Sequence, residues 1–296
     1  MRDLHSRVAE FPEVLRASGV YLSLPDPARN RQPDESPDME KADVPPSPRD
    51  LAVRLVTQAS RFARWSHAPK LEALSLAGHA GFAQVLHQAV ADLNSGKTAA
   101  CIVGGVDSLL DEDTLTWLLR SDRLKHPAHA AGLMPGEGAA IFLLTGRANS
   151  LPEICSIESV NLGEDSKTLM EDKTSDGGGL WRTVRNLQSW ASLRSSPEPL
   201  RLSFTSDHNG EVYRARELGG FLVRCGGQIK MDSELPVSLP AISFGDTAAA
   251  SGALGAAVAA RSMARGYTRS DHNIVLSTSD GSQRGAILLR RADNGR

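Results

Sequence analysis

Residues 71–86 read LEALSLAGHAGFAQVL, and the fold turns on how they are read. An apolar run closes on Ala77-Gly78, one histidine follows, and apolar residues then recur at helical spacing. The pattern predicts a strand, a glycine elbow and the first turn of a helix running to about residue 94. Such an elbow exposes free N–H groups and the positive end of a helix dipole to its occupant. A thiolate is favoured there. Here the occupant is His79.

Working outward, the same alternation continues. TAACIVGG (98–105) reads as a strand buried on both faces, and DEDTLTWLLRSDRL (111–124) as a helix capped by Asp111 or Asp113. GLMPGEGAAIFLLT (132–145) reads as a Gly-rich turn and a second buried strand. PEICSIESVNLG is strand-like, LWRTVRNLQSWASL helical, and LRLSFTSD a strand. PAISFGD reads as a strand tip before an Ala-rich helix over 247–263, and NIVLSTSD and GAILLR close the chain as strands. Strands alternating with helices predict a layered α/β fold. Each half contains a strand, a Gly elbow and an Ala-rich helix, a loose internal echo. ARNRQPDESPDMEKADVPPSPRD (28–50) is polar and Pro-rich and reads as a linker.

Composition narrows the function classes. With 296 residues, 41% hydrophobic, the chain can bury one large core or two fused domains. A net charge of −2 gives no electrostatic case for nucleic acid or an anionic membrane. Cys101, Cys155 and Cys225 lie far apart without a CxxC, which suits a reducing compartment and argues against a disulfide framework or a zinc site. The N-terminus lacks a signal-peptide core, and TAAASGALGAAVAA (247–260) is too short for a membrane span. The expectation is a cytoplasmic protein with no cofactor and no bound metal. His126 and His129 flank Pro127 and read as members of a solvated loop, and SDHNGEVYRARELG (206–219) as a capped helix start with solvated charges. A sharper reading of that last segment is a site facing a carboxylate or a phosphopantetheine.

In order along the chain, TAACIVGGVDSLLDEDTL, GLMPGEGAAIFLL, ISFGDTAAASGALGAAVAA and STSDGSQRGAILL resemble the β-ketoacyl-ACP synthase (3-oxoacyl-ACP synthase) branch of the thiolase-like superfamily, over about residues 71–290. The resemblance implies a five-layer αβαβα fold of two similar halves and a dimer built across residues 71–77. The chain then divides into an N-terminal segment (1–27), a linker (28–50), a shortened first half (51–150) and a second half (151–296). A first half pruned in this way leaves a short sheet with an exposed edge, which favours pairing with a partner.

The resemblance also implies a catalytic Cys at the elbow and two catalytic His residues in the second half. Those positions fall on His79, on Ser206 with Asp207 and His208 adjacent, and on Asp246. All three have changed chemical type. An acyl-imidazole hydrolyses too readily to store a chain for condensation. The leading reading is therefore a catalytically degenerate member acting as partner, scaffold or accessory subunit, of the polyketide or fatty-acid type or beside secretion-system effectors. Its partners would be a second copy or a Cys-bearing paralogue, with acyl carrier protein, a CoA thioester or an effector as further candidates. The alternative is a repurposed acyl-thioester hydrolase or acyltransferase using His79 and Asp246.

Overall fold

The structure, a computed structural model, describes residues 14, 18–29, 46–66, 68–146, 153–171, 174–197, 199–229 and 236–292. The linker expected over 28–50 lies mostly outside them.

The first half runs β1 (Ser18–Ser23), α1 (Pro48–Phe62), β2 (Leu71–Ser75), a 3₁₀ turn (Gly78–Ala80), α2 (Gly81–Asn94), β3 (Ala100–Ser108), α3 (Glu112–Arg120) and β4 (Glu137–Thr145). Its strands are ordered β2-β1-β3-β4, parallel except for the antiparallel β3–β4 pair. Strand β1, set apart in sequence as an N-terminal segment, is thus an interior strand of this sheet. Asp111 caps α3 by accepting from the Thr114 N–H at 2.9 Å. Strand β4 corrects a sequence expectation. It was expected to be buried on both sides, but it lies at the sheet edge with Ile141, Phe142 and Leu143 half-buried.

The second half runs β5 (Cys155–Glu164), α4 (Gly178–Arg185), α5 (Trp190–Arg194), β6 (Leu202–Ser206), α6 (Val212–Gly226), β7 (Val237–Ser238), α7 (Ala241–Phe244), a 3₁₀ turn (Ala248–Ala250), α8 (Ser251–Ala264), β8 (His272–Thr278) and β9 (Gln283–Arg291). PAISFGD therefore forms a helical turn rather than a strand tip, since a short apolar run does not fix its own geometry. The sheet order is β5-β9-β8-β6-β7.

Three apolar clusters define the layers. One joins Tyr21 and Val103 of the first sheet to Val275 and Ile287 of the second through Phe82, Leu86, Ala253 and Ala256, so α2 and α8 lie between the sheets. Ala52 and Val56 of α1 cover the first sheet, and Leu180, Val184 and Phe221 of α4 and α6 cover the second. This is the five-layer arrangement, and its inner spacing needs small residues. A Cβ on Gly285 would stand 2.5 Å from that of Ala83 in α2.

The halves repeat one topology. β2-β1-β3-β4 and β7-β6-β8-β9 share order and direction, and the helix after each 3₁₀ turn has 14 residues. The turns begin at Gly78 (φ 58°) and Ala248 (φ 39°), both in the left-handed region. β5 adds a fifth strand beyond β9, antiparallel to it. Among the described residues nothing equivalent lies beyond β4.

Candidate functional site

The two 3₁₀ turns meet where the halves join. β2 delivers the chain to Gly78, whose positive φ turns it sharply, and His79 follows at the start of the helical segment. The Ala80 N–H donates to Ser279 Oγ at 3.0 Å, and Ser279 in turn donates to the Ala77 carbonyl. Across the junction, the Ala248 N–H donates to Asp246 Oδ1 at 2.7 Å and the Ala249 N–H to Asp107 Oδ2 at 3.0 Å. Arg29 donates to the other Asp107 oxygen at 2.6 Å. Burial pushes the Asp107 carboxyl up, against the pull of Arg29.

His79 is 4% exposed. Its Nε2 lies 2.8 Å from Asp246 Oδ1, and Arg214 Nη2 stands 3.2 Å from its Nδ1. The Nε2 proton therefore belongs to Asp246 in either charge state, while the Nδ1 lone pair of the neutral ring accepts from the guanidinium. Burial and Arg214 pull the imidazole pKa down, but the carboxylates of Asp246 and Asp207 outweigh them and hold it above 6.5. Burial alone would raise Asp246. His79, Arg214 and the Asn209 amide instead hold it well below the usual carboxylate range.

Around this pair lies a buried ionic network. Asn209 Nδ2 donates to Asp246 Oδ2 at 2.5 Å and to Glu211 Oε2 at 2.9 Å. Arg214 donates to Asp280 Oδ1 at 2.8 Å and to the Thr278 carbonyl, with Asp207 Oδ2 at 3.5 Å from its Nη1. Arg123, from the loop after α3, spans Glu211 (2.7 Å) and Asp280 (2.8 Å). Arg123 and Arg214 hold Asp280 below the carboxylate range despite its burial.

Of the residues expected at the site, His79 and Asp246 are in contact, and Asp207 joins them through Arg214. Ser206, buried at the end of β6, accepts from the His208 N–H at 3.2 Å. His208 is half-buried, its Nδ1 has no hydrogen-bond partner among the described residues, and burial lowers its pKa. Ser206 and Asp207 also line a small crevice with Phe244, Thr247, Ser251 and Leu254. The reading of residues 206–219 as solvated charges is overturned. Asp207, Asn209, Glu211, Arg214 and Glu217 are all buried. Sequence reasoning did not find Arg123 or Asp280 as members of the site, and it held Arg214 only as part of the 206–219 segment in its sharper reading. The polar tail STSD at the end of a buried strand was the one signal pointing toward Asp280. Among the described residues no group of three or more His, Cys, Asp or Glu is placed to hold a metal ion, and no helix is long and apolar enough to cross a membrane.

No family model and no curated protein matches the sequence. Solved structures do. The ketosynthase from module 6 of the bacillaene synthase of Bacillus subtilis 168 superposes with a TM-score of 0.69 over 95% of this chain, at 14% identity. The chain has the ketosynthase fold. It spans 54% of the length of that ketosynthase. The ishigamide ketosynthase/chain length factor matches over 93% of this chain and 73% of its own, with TM-score 0.62 and 18% identity. A type II polyketide synthase structure, AntDE:AntF, in which an acyl-carrier protein is in complex with its ketosynthase, matches over 80% of this chain and 66% of its own, with TM-score 0.65 and 12% identity.

Proposed function

We propose that this chain is a non-catalytic ketosynthase-like subunit that works through a partner. One observation carries the reading: neither ring nitrogen of the buried His79 is open to a substrate, since Nε2 lies 2.8 Å from Asp246 and Nδ1 faces the Arg214 guanidinium at 3.2 Å. A base or nucleophile needs a nitrogen open to substrate. In addition, the crevice beside Ser206 is lined by residues other than His79. The likeness to a ketosynthase/chain length factor structure supports a subunit role, and the partner proposed is a Cys-bearing ketosynthase relative docking at the β2 edge. A second copy and a secretion-system effector are the other candidates.

The 2.8 Å contact between His79 and Asp246 favours a second reading, a thioester hydrolase in which the dyad activates water. Activation would need Nδ1 to take the proton from water, and the guanidinium of Arg214 faces that nitrogen. The test is intact-mass analysis and thioester turnover with acyl-CoA and acyl carrier protein thioesters, alongside co-purification with a Cys-bearing ketosynthase. Co-purification with neither adduct nor turnover is expected. A stoichiometric adduct, or hydrolysis abolished by His79→Ala, would refute the proposal.

A further inference from the structure

Arg214 turns four of its five N–H groups to partners. Nη2 donates to His79 Nδ1 at 3.2 Å and to Asp280 Oδ1 at 2.8 Å. Nη1 donates to the Thr278 carbonyl and faces Asp207 Oδ2 at 3.5 Å. The fifth, Nε–H, is buried and has no hydrogen-bond partner among the described residues, although Glu211 Oε2 stands only 3.6 Å away. Glu211 has acceptor capacity to match. A carboxylate offers about four acceptor sites. Among the described residues this one accepts three bonds, from Arg123 Nε at 2.7 Å, Arg123 Nη2 at 3.0 Å and Asn209 Nδ2 at 2.9 Å. The guanidinium thus rests against His79 with a second berth beside it on Glu211.

The contact with His79 suits only a neutral ring. Nε2–H belongs to Asp246 at 2.8 Å, so Nδ1 carries the lone pair that accepts from Arg214. A second proton on the ring enters at Nδ1, where it meets the N–H of Nη2 donor to donor. Asp280 offers the alternative acceptor, because its Oδ1 is bound to that same Nη2. Its side chain is also the most exposed of the ionic group, 28% against 6% for His79, which gives the buried ring a way to solvent. We propose that His79 and Arg214 form a proton-driven switch with two arrangements. When Nδ1 gains a proton from solvent, its N–H turns to Asp280. The guanidinium leaves the ring for Glu211 and closes the 3.6 Å gap with its idle Nε–H. Asp246 keeps the bond to Nε2 throughout. Arg123 donates to both Glu211 and Asp280, so each carboxylate retains a cation in either arrangement.

The other charges around the pair leave the exchange to one group. Burial and Arg214 oppose a proton on His79, but Asp246 and Asp207 outweigh them, and Asp280 adds to their field. His208 feels the charge of Arg214, and burial keeps its own pKa below 6.5. Glu217, one turn further along α6, is taken by Arg284 at 2.7 Å. Asp280 directly follows Ser279, whose Oγ accepts the Ala80 N–H, so the proton on His79 is felt in the loop that caps α2. The switch works on the charge of one ring and does not depend on the non-catalytic reading.

The isotope-labelled full-length chain is titrated by NMR, following the ring nitrogens of His79 and the Nε–H of Arg214. The neutral ring is expected to carry its proton on Nε2. As the pH falls, the Arg214 Nε proton is expected to shift downfield with the midpoint of the His79 titration, because its bond to Glu211 forms at that point. In His79→Gln, whose side chain offers a donor and an acceptor but takes up no proton, the Arg214 signal is expected to stay fixed through the same range. Four results would overturn the proposal: a ring that does not titrate while the fold is intact, a neutral ring protonated on Nδ1, an Arg214 signal that stays fixed in the parent, or one that shifts equally in His79→Gln. None of these outcomes bears on whether the chain is acylated.

Discussion

Replacing Asp246 by asparagine tests the central pair directly. Asp246 accepts from His79 Nε2 (2.8 Å), the Ala248 N–H (2.7 Å) and Asn209 Nδ2 (2.5 Å). An asparagine oxygen can serve His79 and Ala248, which share Oδ1, but its amide then meets the Asn209 amide donor to donor. One charge-assisted hydrogen bond, about 1.5–3 kcal/mol, is lost. Breaking a buried ion pair costs about 3–5 kcal/mol, and removing the charge also removes its own desolvation cost. The net expected loss is about 3 kcal/mol, a fall in Tm of roughly 6–12 °C. The loss depends on pH with a definite sign. The Asp246 pKa is depressed in the fold, so its contribution is present above 3.8 and lost as the pH falls below it. The His79 pKa is raised, so its contribution is full below 6.5 and lost as the pH climbs through the raised value. Thermal unfolding by circular dichroism across pH should show the largest gap between parent and Asp246→Asn from 3.8 to 6.5, narrowing on both sides. A gap that fails to narrow below pH 3.8 and at alkaline pH, or an unchanged Tm, would refute the pairing.

Two further substitutions probe the same junction. Glutamine can offer an N–H to Asp246 and an oxygen to Arg214, so His79→Gln should cost about 1 kcal/mol in chemical denaturation, against about 2–4 kcal/mol for His79→Ala, which takes one bond from each partner and leaves a cavity. Ala248 holds a φ of 39° that glycine adopts freely, so Ala248→Gly should raise stability by about 1 kcal/mol in the same assay, while Gly78→Ala at φ 58° should lower it by a similar amount.

The elbow was legible because its three signals are local: an apolar run, a glycine, and helical periodicity starting at residue 80. The meeting of His79 and Asp246 was legible only through the resemblance, since 167 residues separate them. The network around them was not. A run such as DHNGEVYRARE has the same composition whether solvated or buried, and its burial is imposed by β6, β8 and the Arg123 loop arriving from elsewhere in the chain. Strand β4 misled for a related reason. Apolar residues on both faces mark a strand covered above and below, and they carry no information about whether a neighbour lies beside it.

The bonds at the junction run crosswise. The N–H that opens the first half's inner helix is satisfied by Ser279 of the second half, and the one that opens the second half's inner helix is satisfied by Asp107 of the first. Each half thus holds the stopper for the other's helix. Cut apart, both would carry a raw helix end and an unsupported inner layer, so the duplicated units that share a design are expected to melt in a single step and neither to survive as a free-standing fragment.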